Sequence, residues 1–330
     1  MVERIPQCPP VIKPLTDKDD RPLWSVMIPS YNCSNYLKET LQNILLQARD
    51  AAEMQIVVVD DCSTDANVED IVKDIGKGRI GFFKQSQNVG SLRNFETCIN
   101  LSRGKLIHLL HADDLVKPGF YSEIESLFTK YPSIGAAFTG LSKIDEKGNV
   151  IEPSMQIQNY TGIIENWLLK IAKNQSLQVC SIVVKRSVYE ELGGFYGVHY
   201  GEDWEMWVRI ACNFPVAYST KNLALYRVHS NNISSRYLST GQNIRDIKTV
   251  INIIQNYLPV EKRKEIKKIA SRNFAYYFSK NAHKIYEVQG NKQVALKQAH
   301  GALLLYFNKW ILISLIKLYV KAFINYKNLT

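Results

Sequence analysis

The chain has 330 residues, 46% hydrophobic and 22% charged, enough for a packed core over about two average domains and too apolar for general disorder. Its 17 glycines follow no period, which excludes a collagen-like chain. The net charge of +10 is concentrated near the end: from residue 241 onward, sixteen Lys and Arg face only Asp246, Glu261, Glu265 and Glu287. The preceding 240 residues are close to neutral, which argues against a DNA-tracking groove there; no nucleic-acid partner is expected.

Six cysteines (Cys8, Cys33, Cys62, Cys98, Cys180, Cys212) are scattered without a CxxC, so neither a disulfide framework nor a zinc site is expected. No run of about 18 apolar residues offers a membrane span. The start, MVERIPQCPP, lacks the apolar core of a secretory signal, and a cytoplasmic location is the expectation.

Residues 1–22, rich in Pro, Lys and Asp, read as a loosely ordered lead-in. Strands and helices then alternate. WSVMIP (24–29) is a buried strand ending at a proline. Residues 35–48 carry Tyr36, Leu37, Leu41, Ile44, Leu45 and Ala48 at helical spacing, with Ser34 or Asn35 as N-cap. QIVVVD (55–60) is a second buried strand, 65–75 a helix opened by Asp65, and 79–85 a third strand. A helix over 91–102 leads to strand KLIHLL (105–110), and a helix over 118–130 and a strand over 134–139 close this half. Beyond it the pattern predicts a hairpin over 141–160 turning at Lys147-Gly148, a helix over 161–173, strands over 180–185 and 223–229, and helices from about 240 to the end.

Repeated βα units imply an α/β, Rossmann-like fold: a mostly parallel sheet flanked by helices, here with a C-terminal helical extension. In such sheets ligands bind beyond the carboxyl ends of the strands. The chain places Pro29-Ser30-Tyr31-Asn32, Asp60-Asp61 and His111-Ala112-Asp113-Asp114 there.

Three phosphate cradles are missing. The turn after the first strand, PSYNCSNY, has no glycine, no GxxxxGK[ST] occurs, and the glycine-rich basic loop of a nucleotidyltransferase is absent. A metal could hold a diphosphate instead, because hard divalent cations take one or two carboxylates plus phosphate oxygens. Asp113 and Asp114 are placed for this, or they cap the helix that begins near Pro118.

WSVMIPSYN (24–32), IVVVDDCSTD (56–65), QNVG (87–90), LIHLLHADDLVKPGF (106–120), GGF (193–195), GEDWEMWVRI (201–210) and YRVH (226–229) follow one another in order. Together they resemble the family 2 glycosyltransferases, inverting metal-dependent enzymes of the GT-A fold. The resemblance covers residues 23–235, which sets 1–22 apart as a lead-in and 236–330 as a basic helical region.

The resemblance implies that Pro29 and Tyr31 line the nucleotide base pocket and that Asp61 bonds the base. Asn88 and Arg93 would contact base or diphosphate, and Asp113 and Asp114 would belong to the donor site. Asp113 matches the last aspartate of the family's DxD motif, the ligand for Mn²⁺ or Mg²⁺. His111 stands where aspartate is commonest, either donating to ribose or phosphate or simply packed at a strand end. His229 matches a further metal or diphosphate ligand. Asp203 would be the catalytic base that deprotonates the acceptor hydroxyl; otherwise Glu202 and Asp203 stabilise a helix N-terminus. Glu202 and Trp204 would face the acceptor, Trp204 as a platform on which an acceptor sugar stacks; Trp207, three residues further along the helix, would join that platform or lie in the core.

The tail ends in KWILISLIKLYVKAFINYK (309–327), whose apolar run is interrupted by Lys317 and Lys321. Such a helix lies in the plane of an anionic membrane surface, or packs on the catalytic domain or a second copy of the chain. The combined expectation is transfer of a sugar from a nucleoside diphosphate donor, UDP-sugar by default, to a hydroxyl of a carbohydrate or lipid-linked acceptor. The setting would be surface-polysaccharide assembly, peripheral at the inner face of the cell membrane. The rivals are a metal-dependent nucleotidyltransferase and a non-catalytic scaffold.

Overall fold

All seven residues of strand β1 (Trp24–Ser30) are buried, as a central strand covered on both faces must be. It pairs in parallel with β2 (Met54–Asp60), which pairs in parallel with β3 (Gly81–Lys84); on the other side of β1 lies β4 (Leu106–Leu109), also parallel. The intervening helices are α1 (Ser34–Leu45), α2 (Val68–Gly76) and α3 (Ser91–Leu101). In α1, Leu37, Thr40, Leu41 and Ile44 are buried, one face of a 3.6-residue period. The computed structural model describes residues 3–16, 21–153, 156–229 and 232–324.

Beyond β4 come β5 (Leu115–Val116), α4 (Phe120–Lys130), β6 (Ala136–Ile144), β7 (Val150–Glu152), β8 (Gly162–Ile163), α5 (Trp167–Ile171), β9 (Ile182–Lys185), α6 (Arg186–Leu192), α7 (Glu202–Asn213) and β10 (Val216–Arg227). The sheet runs β3-β2-β1-β4-β9-β6-β10-β5, with β7 beside β6 and β8 beside β10. β9 is antiparallel to both β4 and β6, while β6 and β10 run parallel. This first unit comprises residues 1–167, 176–197 and 209–229.

The second unit comprises residues 168–175, 198–208 and 230–330 and contains α8 (Ile233–Thr240), α9 (Gln242–Ile253), α10 (Val260–Lys284), α11 (Lys292–Leu305) and α12 (Lys309–Phe323). Ala282, Ile285, Tyr286, Ala295, Ala299, Leu315, Leu318 and Ala322 form one of its apolar cores. Buried Asn243 and Gln298 exchange two amide hydrogen bonds, of 3.0 and 2.9 Å, which leaves neither amide dry.

Three local expectations need correction. Helix α2 is capped by Asn67, whose side chain accepts from the Asp70 N–H; Asp65 instead accepts from the Ser34 N–H at the start of α1. The helix expected over 161–173 shrinks to α5, because residues 162–163 pair with β10 and tertiary pairing overrides local propensity. The lead-in is strapped down over its described residues: Gly197 and Gly194 donate backbone N–H bonds to the Pro6 and Pro10 carbonyls, and Ile12 is 0% exposed. The expected hairpin turn at Lys147-Gly148 does form, with Asp145 Oδ1 accepting from the Lys147 and Asn149 N–H groups and Gly148 at φ 86°.

Candidate active site

In the first unit the His111-Asp114 turn follows β4 and is gripped from α1. Thr40 Oγ1 donates to the carbonyls of Ala112 (3.0 Å) and Asp114 (3.1 Å). The Asp114 carboxyl is buried; it accepts from the Arg227 N–H at 2.9 Å and from the Cys180 thiol. Burial, reinforced by the Asp113 charge, pushes its pKa well above the usual carboxylate range. Asp114 is thus an anchor that joins the turn to β10, which corrects its expected place among the donor-binding groups.

Arg227 closes the other side. Its buried guanidinium donates to the carbonyls of Asp113 (2.9 Å), Asp145 (3.2 Å) and Glu146 (3.1 Å) and to Glu39 Oε2 (2.6 Å). It also lies over the Tyr36 ring at 5.0 Å, a cation–π contact. Two residues later, His229 Nε2 comes within 3.0 Å of Asp113 Oδ2, and the His229 ring packs 4.6 Å from Tyr36. Sequence reading missed Arg227 and Tyr36. An arginine ending a strand looks solvated unless its motif, YRVH, is read as one object.

His111 stacks on Phe95 at 5.4 Å and 12°, and burial lowers its pKa, which favours the neutral ring. Its Nε2 is buried without a hydrogen-bond partner among the described residues. Ligand atoms of His111, Asp113 and Asp114 lie within 4.8 Å of one another. Asp113 Oδ2 and His229 Nε2 are hydrogen-bonded to each other at 3.0 Å, which is also the separation of two donor atoms ~2.1 Å from one ion at right angles, ~3.0 Å. Carboxylate, imidazole and an orphaned buried nitrogen fit a divalent cation.

The base-pocket candidates cluster at the ends of β1 and β2. Pro29 is buried in β1, and Tyr31 is 46% exposed just beyond it. The loops after these strands are tied together: Asn32 Oδ1 accepts from the Thr64 N–H and Ser63 Oγ from the Asn32 N–H. The Asp61 carboxylate accepts from Val89 N–H (2.7 Å), Gly90 N–H (2.9 Å) and Asn88 Nδ2 (2.9 Å). Burial raises its pKa, and these backbone bonds pull it down. Arg93 donates to Glu96 and to the Glu3 carbonyl. QNVG therefore holds Asp61, and Arg93 holds the N-terminal segment.

In the second unit Asp203 sits in the first turn of α7, 8% exposed. Gln175 Nε2 donates to its Oδ2 at 2.6 Å and the Trp204 N–H to its Oδ1 at 2.8 Å. Burial pushes its pKa up to about 6, and that of Glu202 well above the usual range. Gly201 has φ 89°, a conformation that favours glycine, and a Cβ there would crowd the tip of Ile247 at 3.0 Å. Trp204 is 0% exposed, packs 4.8 Å from Phe274 and donates its indole N–H to the Ile171 carbonyl. The expected sugar platform is corrected, because Trp204 is core; Trp207 is core as well.

The sequence model described as glycosyl transferase family 2 matches residues 25–193, just over half of the chain. The chain belongs to this family. It is a glycosyltransferase, transferring a sugar from a nucleotide sugar. An uncharacterized glycosyltransferase of Haemophilus influenzae is 27% identical over 278 residues, covering 78% of this chain and 75% of that protein. In the crystal structure of S. aureus TarS 1-349 in complex with UDP-GlcNAc the fold recurs with a TM-score of 0.65 at 16% identity, covering 92% and 89% of the two chains. The mannosyltransferase PcManGT from Pyrobaculum calidifontis, in complex with GDP-Man and Mn²⁺, gives a TM-score of 0.56 at 17% identity over 96% and 92%. These likenesses identify the fold as GT-A. The family match contains Asp61, Asn88 and the His111-Asp114 turn; His229 and Asp203 lie beyond it.

Proposed function

We propose that this glycosyltransferase is an inverting enzyme that takes a nucleoside diphosphate sugar, UDP-sugar first among them, and glycosylates a hydroxyl acceptor. The observation that carries the reading is the 3.0 Å approach of His229 Nε2 to Asp113 Oδ2. In this reading Asp113 and His229 hold Mn²⁺ or Mg²⁺, with His111 beside them. When bound, the cation supplies Lewis-acid neutralisation of the charge on the departing diphosphate. Tyr31, Asp61 and Asn88 define the base end of the donor site, and Arg227 keeps the Asp113 backbone in place.

Asp203 is the proposed base. An inverting displacement needs one carboxylate to take the acceptor hydroxyl proton as that oxygen attacks the anomeric carbon opposite the diphosphate. A carboxyl tuned to about 6 is deprotonated at neutral pH, yet basic enough to receive a proton. Glu202 in the same turn is proposed to meet the acceptor.

The proposed setting is surface-polysaccharide assembly on a lipid-linked acceptor at the inner face of the cell membrane, with α12 as the lipid-facing element. Ile311, Leu315, Leu318 and Ala322 of α12 are buried, whereas Trp310, Ile316, Val320 and Phe323 are exposed beside exposed Lys309 and Lys317. This second apolar face, edged by lysines, suits an anionic lipid surface. No helix among the described residues is long and apolar enough to cross a membrane. Incubation with a panel of nucleotide sugars tests the reaction: a product linkage of opposite anomeric configuration to the donor supports it, and retained configuration refutes it.

A further inference from the structure

The first described residues of the chain end on the loop that holds Asp61. Arg4 Nη2 donates to Asn88 Oδ1, while Asn88 Nδ2 donates to the Asp61 carboxylate (2.9 Å) and carbonyl (3.0 Å). A guanidinium can only donate and an ionised carboxylate can only accept. Between them the Asn88 amide has one consistent orientation. Gly90 lets Arg4 lie close, since a Cβ there would stand 3.0 Å from Arg4 Nε. The Arg4 charge also favours the ionised form of Asp61.

The segment that delivers Arg4 is fixed along its length. Arg93 Nε donates to the Glu3 carbonyl at 2.8 Å, and Gly197 and Gly194 bond the Pro6 and Pro10 carbonyls at 2.9 and 2.8 Å. Arg186 Nη2 donates to the Lys13 carbonyl at 2.9 Å, and the Lys13 N–H donates to Asn100. The GGF motif is explained by this packing: a Cβ on Gly193 would lie 2.8 Å from Pro9 Cβ and 2.9 Å from the Pro10 oxygen. Asn88, one of the three groups proposed for the base end of the donor site, bonds directly to the segment, and Arg93 three residues beyond Gly90 does so as well.

We infer that the N-terminal segment is a working part of the donor site and that Arg4 is a positioning residue, acting through Asn88 on Asp61 to hold the base-binding loop in register. The inference rests on the reading that the nucleotide base binds at Asp61. It extends the donor site to a part of the chain outside the 25–193 family match.

The test uses full-length protein and the nucleotide that binds tightest among UDP, GDP and dTDP with Mn²⁺, with manganese pyrophosphate as a probe lacking a base. Losing a charge-assisted hydrogen bond should weaken nucleotide binding roughly tenfold in Arg4→Ala. Pyrophosphate affinity and the melting temperature should stay at wild-type values, and Arg4→Lys should recover most of the loss. Deleting residues 1–5, which leaves the Pro6 and Pro10 anchors in place but also takes the Glu3 carbonyl from Arg93, should weaken nucleotide binding at least as much as Arg4→Ala. Unchanged nucleotide affinity in Arg4→Ala, where Asp61→Ala weakens it, overturns the role of Arg4 and leaves the base site standing. Equal losses for nucleotide and pyrophosphate would also overturn it, since the effect would then not be at the base. Wild-type affinity in Asp61→Ala would instead defeat the base-site reading itself.

Discussion

His229 Nε2 and Asp113 Oδ2 stand 3.0 Å apart although 116 residues separate them in the chain. The approach is built from β10, which pairs with β5 and β6, and from Arg227, which fixes the Asp113 carbonyl and the turn after β6. Removing either proposed metal ligand should cost at least as much as losing an outer-shell partner of a metal, about 10- to 100-fold in affinity. Asp113→Asn and His229→Ala are each expected to weaken Mn²⁺-dependent UDP binding by at least that factor, measured by calorimetry.

Asp203 gives a pH signature. Its pKa is pushed up to about 6 by burial, and the proposed role as base requires the deprotonated form, so the transfer rate should rise with pH through about 6 and level off above it. Gln175 donates to the carboxylate and holds its pKa down; Gln175→Ala should shift the acidic limb to higher pH. Asp203→Asn should lower transfer by about 10²- to 10⁴-fold while nucleotide affinity stays near wild type. Single-turnover rates against pH check all three.

Arg227 is expected to be structural before it is catalytic. Truncating it strips four acceptors of a buried cation's hydrogen bonds and leaves a void beneath Tyr36. Arg227→Ala should cost about 3 kcal/mol or more, read by urea denaturation.

How much of this was legible in the sequence depended on where each residue's partners lie. Strands β1, β2 and β4 read correctly because each is a short apolar run ending in a polar turn. The His111-Asp114 turn could be placed from the strand that feeds it. Arg227 could not, because its partners come from α1, the Asp113 carbonyl and the turn after β6. The N-terminal segment looked loose because Pro-rich sequence lacks periodicity; its order comes from its own backbone carbonyls and from Gly194 and Gly197, far along the chain. Trp204 beside an acidic pair resembled a sugar platform, yet its three-residue spacing to Trp207 marks a buried helix stripe.

The two faces of α12 should separate under mutation. Replacing Trp310, Val320 and Phe323 together by serine should reduce co-sedimentation with phosphatidylserine vesicles and leave the melting temperature unchanged, since all three are exposed. Leu315→Ser on the opposite face should lower the melting temperature instead, because Leu315 belongs to a core of the second unit. Full retention on vesicles by the triple variant would count against a lipid-facing role.

The most direct measurement is calorimetric titration of wild type and Asp113→Asn with UDP, GDP and dTDP, each in Mn²⁺ and in EDTA. The expected result is selective binding of one nucleotide by the wild type, lost in EDTA and lost in Asp113→Asn even with Mn²⁺ present. Binding of equal strength in EDTA, or an unimpaired Asp113→Asn, would contradict a metal-held diphosphate at Asp113 and His229.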